Sequence, residues 1–131
     1  MNTSPLSEFE KISAQRKEMQ KIGEAPDWYT TQALIVFLRK YSHQGETVRG
    51  AFNRISSTLS RHYPEQALAR EKFFKLLWQG NLSPSTPVMA NTGTNKGLVV
   101  SCAGSYTEDS IAGFYDAYKE TAILSQEGFG T

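Results

Sequence analysis

The sequence offers one thiol, Cys102, and two imidazoles, His43 and His62, as groups suited to nucleophilic, redox or metal chemistry. A thiolate nucleophile wants a nearby base, and thiol redox chemistry requires a second thiol. Both histidines fall in a region that predicts helices, so a Cys–His pair is weakly supported. Two histidines without further ligands also make no convincing metal site. Taken by itself, Cys102 is best interpreted as a small apolar residue in a core.

A run of hydroxyl residues and prolines, Ser83–Pro87, is the second candidate for chemistry. It suits an ordered turn, a phosphorylated loop, or an anion site made of hydroxyls and backbone N–H groups. No lysine stands at P-loop spacing, so a P-loop NTPase is not supported. The later Gly128-Phe129-Gly130 is too short for a nucleotide fingerprint and indicates a turn.

Two acids and a serine, Glu108-Asp109-Ser110, precede an apolar periodic segment. The pattern is typical of a helix start, where a capping side chain and negative charge are favoured. A carboxylate that recognises the hydroxyls of a ribose is the sharper alternative. Spacing alone does not separate the two, and composition favours the cap.

Length and composition set the frame in which these groups act. The 131 residues predict one domain, and 14 basic against 13 acidic residues give a formal charge of +1. This balance argues against a dedicated nucleic-acid binder. A single cysteine excludes an intrachain disulfide and fits a reducing compartment. Without a long apolar stretch or a secretory leader, the expectation is a cytoplasmic protein that does not enter a membrane.

Helical periodicity and capping residues predict four helices before Gly80. The first stops at Gly23, and Thr30 or Thr31 caps the second. Their approximate extents are 4–23, 30–41, 47–62 and 65–79. The predicted inward faces are Phe9, Ile12, Met19 and Ile22; Ala33, Leu34, Phe37, Leu38 and Tyr41; Val48, Phe52, Ile55 and Leu59; and Leu68, Phe73, Leu76 and Leu77 with Trp78 beside them.

After Gly80 the pattern changes. Pro84 and Pro87 argue against a helix between residues 82 and 97. The apolar run 98–103 predicts a buried strand, and Asp109 or Ser110 begins a last helix that ends near Gln126. One buried strand cannot satisfy its own backbone groups, so the strand predicts pairing with something outside the chain. Without such a partner, we expect the apolar positions of 98–103 and 111–124 to be exposed.

Four segments in this order resemble the large (α) subunit of ribonucleotide reductase, most closely the aerobic class I type that reduces ribonucleoside diphosphates. They are 82–94, Ser101-Cys102, Asp109-Ser110-Ile111 and Glu127–Gly130. The resemblance implies a mainly α chain with a single strand. Residues 1–80 would form a helical amino-terminal domain. Residues 81–131 would be the start of a catalytic domain, namely the first strand and helix of a ten-stranded α/β barrel.

The resemblance also implies roles. Thr86 and Ser101 match residues that line the substrate site, and Cys102 matches one of two thiols that reduce the substrate and become a disulfide. Asp109, Ser110 and Ile111 match the segment that binds the deoxynucleoside triphosphate specificity effector. Reducing a ribose needs two electrons, which a dithiol supplies, so the lone cysteine becomes half of a pair.

Further parts of the family pattern are expected outside these 131 residues, including the second thiol and the acid–base residues. We therefore expect an amino-terminal piece, split or truncated, that is catalytic only with the remaining part of the large subunit. The implied partners are a radical-generating small subunit, a second large subunit, and a thioredoxin- or glutaredoxin-type reductant. No cofactor is expected in this chain itself, and dNTP and ATP act as allosteric effectors in the family.

Two other interpretations stay open. In one, residues 1–80 form a non-enzymatic helical interaction module with a flexible extension. In the other, the chain is a nucleotide-binding regulator that uses Asp109, which predicts that the isolated chain binds deoxynucleoside triphosphates. A mixed disulfide between Cys102 and a partner thiol separates the reductase from the interaction module.

Overall fold

In a computed structural model, residues 7–126 and 130 are described, and they are mostly helical. The chain divides into two compact units, Met1–Ser83 and Pro84–Thr131. In the described residues, the first unit contains four α-helices and one π-helix, and the second contains two α-helices. These are α1 (Glu8–Lys21), α2 (Thr31–Val36), a π-helix (Phe37–Tyr41), α3 (Val48–Leu59), α4 (Gln66–Trp78), α5 (Thr86–Asn91) and α6 (Ile111–Gln126).

The four predicted amino-terminal helices are confirmed, and side-chain caps explain where three of them begin. Ser7 and Glu10 form a reciprocal capping box on α1, and hydrogen bonds from Ser7 lower the pKa of the Glu10 carboxyl. Thr30 caps α2 by accepting a hydrogen bond from the Ala33 N–H. Thr47 caps α3 in the same way. The predicted start at residues 4–6 lies outside the described residues.

The core of the first unit forms where α3 packs on α4 and α1 packs on α2. Five of its largest fully buried side chains lie on the predicted inward faces of α2, the π-helix, α3 and α4. They are Leu34, Phe37, Val48, Ile55 and Leu77, and the sequence did not predict the burial of Pro26, Ser56 and Ser60. Burial of such aliphatic and aromatic side chains contributes about 1.5–3 kcal/mol each, which is the main source of stability for this unit.

The predicted inward face of α4 is only partly correct. Leu77 is buried, but Leu68 and Leu76 are 43% and 41% exposed. Within the first unit, α4 packs chiefly on α3, and Leu68 and Leu76 lie on the more exposed part of the helix surface. A similar correction applies to α1, where Met19 is buried and Phe9 and Ile22 are exposed.

A cation–π cluster joins the α1–α2 connection to α3 and α4. The guanidinium of Arg49 lies 4.4 Å from the ring centre of Trp78, which stacks on Phe74, and Arg49 Nε donates to the Gly23 carbonyl. The indole N–H of Trp28 donates to the Trp78 carbonyl at 2.7 Å. The Arg49 guanidinium and the Trp28 indole N–H thus both have partners beside the packed aromatic rings. These contacts hold the irregular α1–α2 connection against α3 and α4.

The N-cap residue of α3, Thr47, is expected to stabilise the folded chain. Thr47 Oγ1 accepts from the Gly50 N–H at 3.1 Å and lies 2.5 Å from the Glu24 carboxylate, to which it donates. Thr47→Ala is therefore expected to lower the free energy of unfolding by about 1–2 kcal/mol. Urea unfolding of the chain measures it. Thr47→Ser keeps the hydroxyl and is expected to retain most of the stability, and equal losses in both variants would contradict the capping role.

The buried phenol of Tyr29 predicts a loss of stability at high pH. Burial raises the pKa of Tyr29 to about 12, and Tyr41 acts in the same direction. Between pH 10, where the unfolded phenol ionises, and pH 12 the folded state keeps a proton that the unfolded state has lost. Stability therefore falls across this window, by up to about 1.4 kcal/mol per pH unit. Unfolding measured against pH should show a steeper fall for wild type than for Tyr29→Phe; parallel curves would refute this.

The structure of the second unit differs from two predictions, one for a helix near Pro87 and one for a strand at 98–103. A helix forms despite Pro87, because that proline stands in the first turn of α5, where no intrahelical N–H is needed. The predicted strand at 98–103 is not formed in the described residues. One isolated parallel bridge joins Cys102 to Gly130 instead, since a strand requires a partner along its length.

Many large apolar residues of 98–100 and α6 are exposed, as expected for segments without a partner. They comprise Leu98, Val99, Val100, Ile111, Phe114, Tyr115, Tyr118 and Ile123. Such a concentration of exposed apolar surface is typical of an interface with further protein. Among the described residues, no helix combines the length and apolar character needed to cross a bilayer.

Candidate functional site

The candidate site residues lie on three segments of the second unit. Thr86 is the first residue of α5, and Ser101 and Cys102 belong to the irregular segment that leads to the isolated bridge. Asp109 and Ser110 come directly before α6, and Ile111 is its first residue. Different hydrogen bonds, described below, restrain each of these segments.

Cys102 is a free, exposed thiol. Its flanking backbone is held by two hydrogen bonds, from Ala103 N to Gly130 O at 3.0 Å and from Gly130 N to Ser101 O at 2.8 Å. A Cβ at position 130 would lie 3.1 Å from Cys102 Sγ, so glycine there lets the two backbones pair beside the sulfur. The prediction of a buried core cysteine, made without the resemblance, is wrong. An exposed sulfur whose flanking backbone is restrained by hydrogen bonds is suited to disulfide exchange.

The loop that joins α5 to the Cys102 segment is fixed by Asn91. Its side-chain N–H donates to the Leu98 carbonyl at 2.7 Å, and Thr94 Oγ1 donates to the Asn91 carbonyl at 2.8 Å. Gly97 adopts φ +54°, and a Cβ there would approach the Asn91 amide to 2.7 Å. This role of Asn91 was not predicted from the sequence. The signal was present in the turn-forming types of 91–97, in which asparagine and glycine recur.

Ser110, and not Asp109, caps α6. Its Oγ accepts from the Gly113 N–H at 3.0 Å, and its carbonyl accepts from the Phe114 N–H at 3.0 Å. The Asp109 side chain is left exposed, and Ile111 is 74% exposed. Capping therefore falls to Ser110 and leaves the neighbouring carboxylate of Asp109 exposed. A carboxylate at the positive end of a helix is stabilised there and is free to accept hydrogen bonds from sugar hydroxyls.

The histidines lie in the first unit and take no part in these segments. The backbone N–H of His43 donates to Glu46 Oε1 at 3.2 Å, and Glu46 also forms a largely buried ion pair with Arg54 at 2.6 Å. His62 is exposed. Within 7–126 and 130, His, Cys, Asp and Glu side chains form no group of three or more suited to a metal ion.

A groove of about 470 Å³ lies along the exposed side of α4 in the first unit. Its walls are mostly apolar, with one acid and one base among them. The lining residues are Tyr63, Pro64, Glu65, Leu68, Ala69, Lys72, Phe73 and Leu76. The groove explains why two leucines predicted to face inward are exposed, and it suits contact with protein better than catalysis, because convergent polar groups are few.

Comparison with known proteins gives a family match and two similar relatives. Residues 27–97 match the family described as ribonucleotide reductase, all-alpha domain. Over 89 residues the chain is 33% identical to the ribonucleoside-diphosphate reductase subunit alpha of Helicobacter pylori strain J99, covering 68% of this chain and 11% of the relative. For strain 26695 the identity is 34% over 79 residues, covering 60% and 10%. The chain spans about a tenth of the length of these curated relatives.

Proposed function

Because the chain belongs to the ribonucleotide reductase family, as an amino-terminal part of the large subunit, we propose that it takes part in reducing ribonucleoside diphosphates. The family match over 27–97 carries this proposal, and the diphosphate reductase activity named for both relatives supports the diphosphate as substrate. In this proposal the second unit supplies one reducing thiol, two substrate contacts and part of an effector site. The complete activity belongs to the assembly with the remaining part of the large subunit.

Cys102 supplies one of two thiols for the reduction. Replacing the ribose 2′-hydroxyl by hydrogen releases water and consumes two electrons and two protons. Two thiols supply both when they form a disulfide, so Cys102 pairs with a cysteine in the remaining part of the large subunit. A thioredoxin- or glutaredoxin-type dithiol then reduces this disulfide by exchange. The exposure of the Cys102 sulfur supports this role, since both the partner thiol and the reductant must reach it.

Thr86 and Ser101 act as substrate contacts. Their hydroxyls both donate and accept hydrogen bonds, which suits ribose and phosphate oxygens. The Asn91 amide supports their mutual placement, because it joins the end of the helix that begins with Thr86 to Leu98, three residues before Ser101. Groups fixed through backbone contacts recognise a sugar with less loss of conformational entropy.

The segment Asp109-Ser110-Ile111 contributes to the specificity site for deoxynucleoside triphosphates. The free Asp109 carboxylate accepts hydrogen bonds from the effector ribose, and the exposed Ile111 offers apolar surface. ATP and dNTP are thus effectors, and no cofactor is assigned to this chain. The exposed apolar positions of 98–100 and α6 support burial against the remaining large subunit and a second large subunit. The radical-generating small subunit completes the enzyme.

Reconstitution tests the proposal. The chain is mixed with a polypeptide that carries the remaining large subunit, and the small subunit, a dithiol reductant, effector and cytidine diphosphate are added. Deoxycytidine diphosphate is expected only when both large-subunit parts are present. The control omits this chain, and size-exclusion chromatography reports association. If the two large-subunit parts do not associate and no deoxycytidine diphosphate forms, the proposal is refuted.

The groove on α4 favours one alternative, a helical interaction module without enzymatic function. The two functions differ at Cys102. In the reductase, withdrawing reductant after turnover gives a mixed disulfide between this chain and the remaining large subunit, visible by non-reducing electrophoresis. An interaction module predicts association through the helical unit without any disulfide to Cys102.

A further inference from the structure

Gly113 is the buried position of α6, and the backbone of Glu108 covers it. A Cβ at position 113 would lie 2.5 Å from the Glu108 carbonyl oxygen and 2.7 Å from the Glu108 Cβ. Nonbonded heavy atoms separated so closely repel each other strongly, because the optimum for carbon atoms is about 3.5–4.0 Å. The turn before α6 can therefore fold onto the helix only when residue 113 is glycine.

Hydrogen bonds fix the same turn from the other side. The Ser110 N–H donates to the Glu108 carbonyl at 2.8 Å, and the Gly113 N–H donates to Ser110 Oγ at 3.0 Å. The Glu108 carbonyl thus contacts Gly113 and accepts from Ser110. Asp109 stands between these two restrained residues, so its backbone has little freedom while its side chain stays exposed.

Helix propensity gives no reason for a glycine at this position. Alanine is the better helix former, and glycine in a helix interior lowers helix stability. Gly104 offers a contrast in the same unit, because a Cβ there would meet nothing within 4 Å. Close approach of the Glu108 backbone is the structural reason for glycine at 113.

We propose that Gly113 is a positioning residue for the Asp109 carboxylate in effector binding. This inference rests on the proposed function, in which Asp109 contacts the ribose of a deoxynucleoside triphosphate. Gly113 itself touches no ligand. It acts through Glu108 by holding the turn close to α6, and a side chain at 113 would push Glu108, and Asp109 with it, away from the helix end.

Three variants of the large subunit that contains this chain test the proposal: Gly113→Ala, the control Gly104→Ala, and Asp109→Ala. Binding of each of the four deoxynucleoside triphosphates is measured by equilibrium dialysis, and each variant's thermal midpoint is recorded. Misplacing a positioned group by about 1 Å can lower a reaction rate about a hundredfold, and we expect a hydrogen bond from Asp109 to be similarly sensitive to position. We expect Gly113→Ala to raise the effector dissociation constant about 10- to 100-fold and Gly104→Ala to change it less than about twofold.

The outcomes separate this inference from the proposed function. If Asp109→Ala weakens binding but Gly113→Ala behaves like Gly104→Ala, the positioning role is overturned and the effector site stands. If Asp109→Ala also binds like wild type, the effector assignment itself fails, and the inference with it. A merely structural role for Gly113 would change the thermal midpoint without changing the dissociation constant.

A second measurement covers the case in which Gly113→Ala does not fold. In the wild-type large subunit, effector binding is expected to slow hydrogen exchange of the Ser110 and Gly113 amides, since both hydrogen bonds restrain the turn. Exchange at these amides that is unchanged by saturating effector would overturn the proposal.

Discussion

Replacing Cys102 by serine is expected to abolish multiple-turnover ribonucleotide reduction by the assembled reductase. The hydroxyl has nearly the size of the thiol but does not form a disulfide, so the two electrons for the substrate are no longer available. Because groups that act as a unit lose most of their effect when one is removed, we expect a fall on the order of a thousandfold or more. Deoxycytidine diphosphate formation with a thioredoxin-type reductant measures it.

The control for this prediction is Ser125→Ala. Ser125 is an exposed residue of α6, and its replacement leaves the Cys102 thiol in place. Its rate is expected to stay close to that of wild type. Circular dichroism of both variants checks that the helices are retained. Turnover of Cys102→Ser at a rate comparable with wild type would remove Cys102 from the redox pair and would favour the interaction module.

Phe37→Ala is expected to be the most destabilising single substitution proposed for the first unit. Phe37 is fully buried, and truncation of such a side chain to alanine costs about 3–5 kcal/mol through lost burial and the cavity left behind. A loss of this size is a large part of the stability of a small domain. Urea unfolding of the chain, followed by circular dichroism, measures the free energy of unfolding.

Leu38→Ala is the matched control, because the next residue on the same π-helix is 37% exposed. It is expected to cost about 1 kcal/mol or less. The sequence pattern placed both side chains on one inward stripe, so the difference between the two variants is a result of the structure. Equal losses of stability for the two substitutions would contradict the difference in burial between Phe37 and Leu38.

The helices of the first unit were predictable because their signals are local. Apolar spacing in 48–59 fits one face of an α-helix, and Thr47 provides a cap through its own side chain three residues from Gly50. Such interactions depend on residues a few positions apart, so they can be read along the chain. The π-helix was not predicted, since its wider turn, closed by Ser42 N–H to Phe37 O, does not differ in composition from an α-helix.

Three features of the second unit escaped prediction for identifiable reasons. Pro87 predicts a break in a helix, but its effect depends on whether it stands in the first turn. The apolar run at 98–103 has strand composition, yet strand formation depends on a partner. The contact between Gly113 and Glu108 depends on the direction in which a turn folds back, which residue types alone do not specify.

By itself, the sequence determined the helical character of residues 8–78, the presence of a single thiol and the resemblance to the large subunit of ribonucleotide reductase. Each follows from residue identity and short-range spacing. Only the tertiary structure decided that Cys102 is exposed beside Gly130, that Ser110 is the cap and Asp109 is free, and that Leu68 and Leu76 line an open groove. Exposure, pairing and close approach are relations between distant or folded-back parts of the chain, and they exist only once the chain is folded.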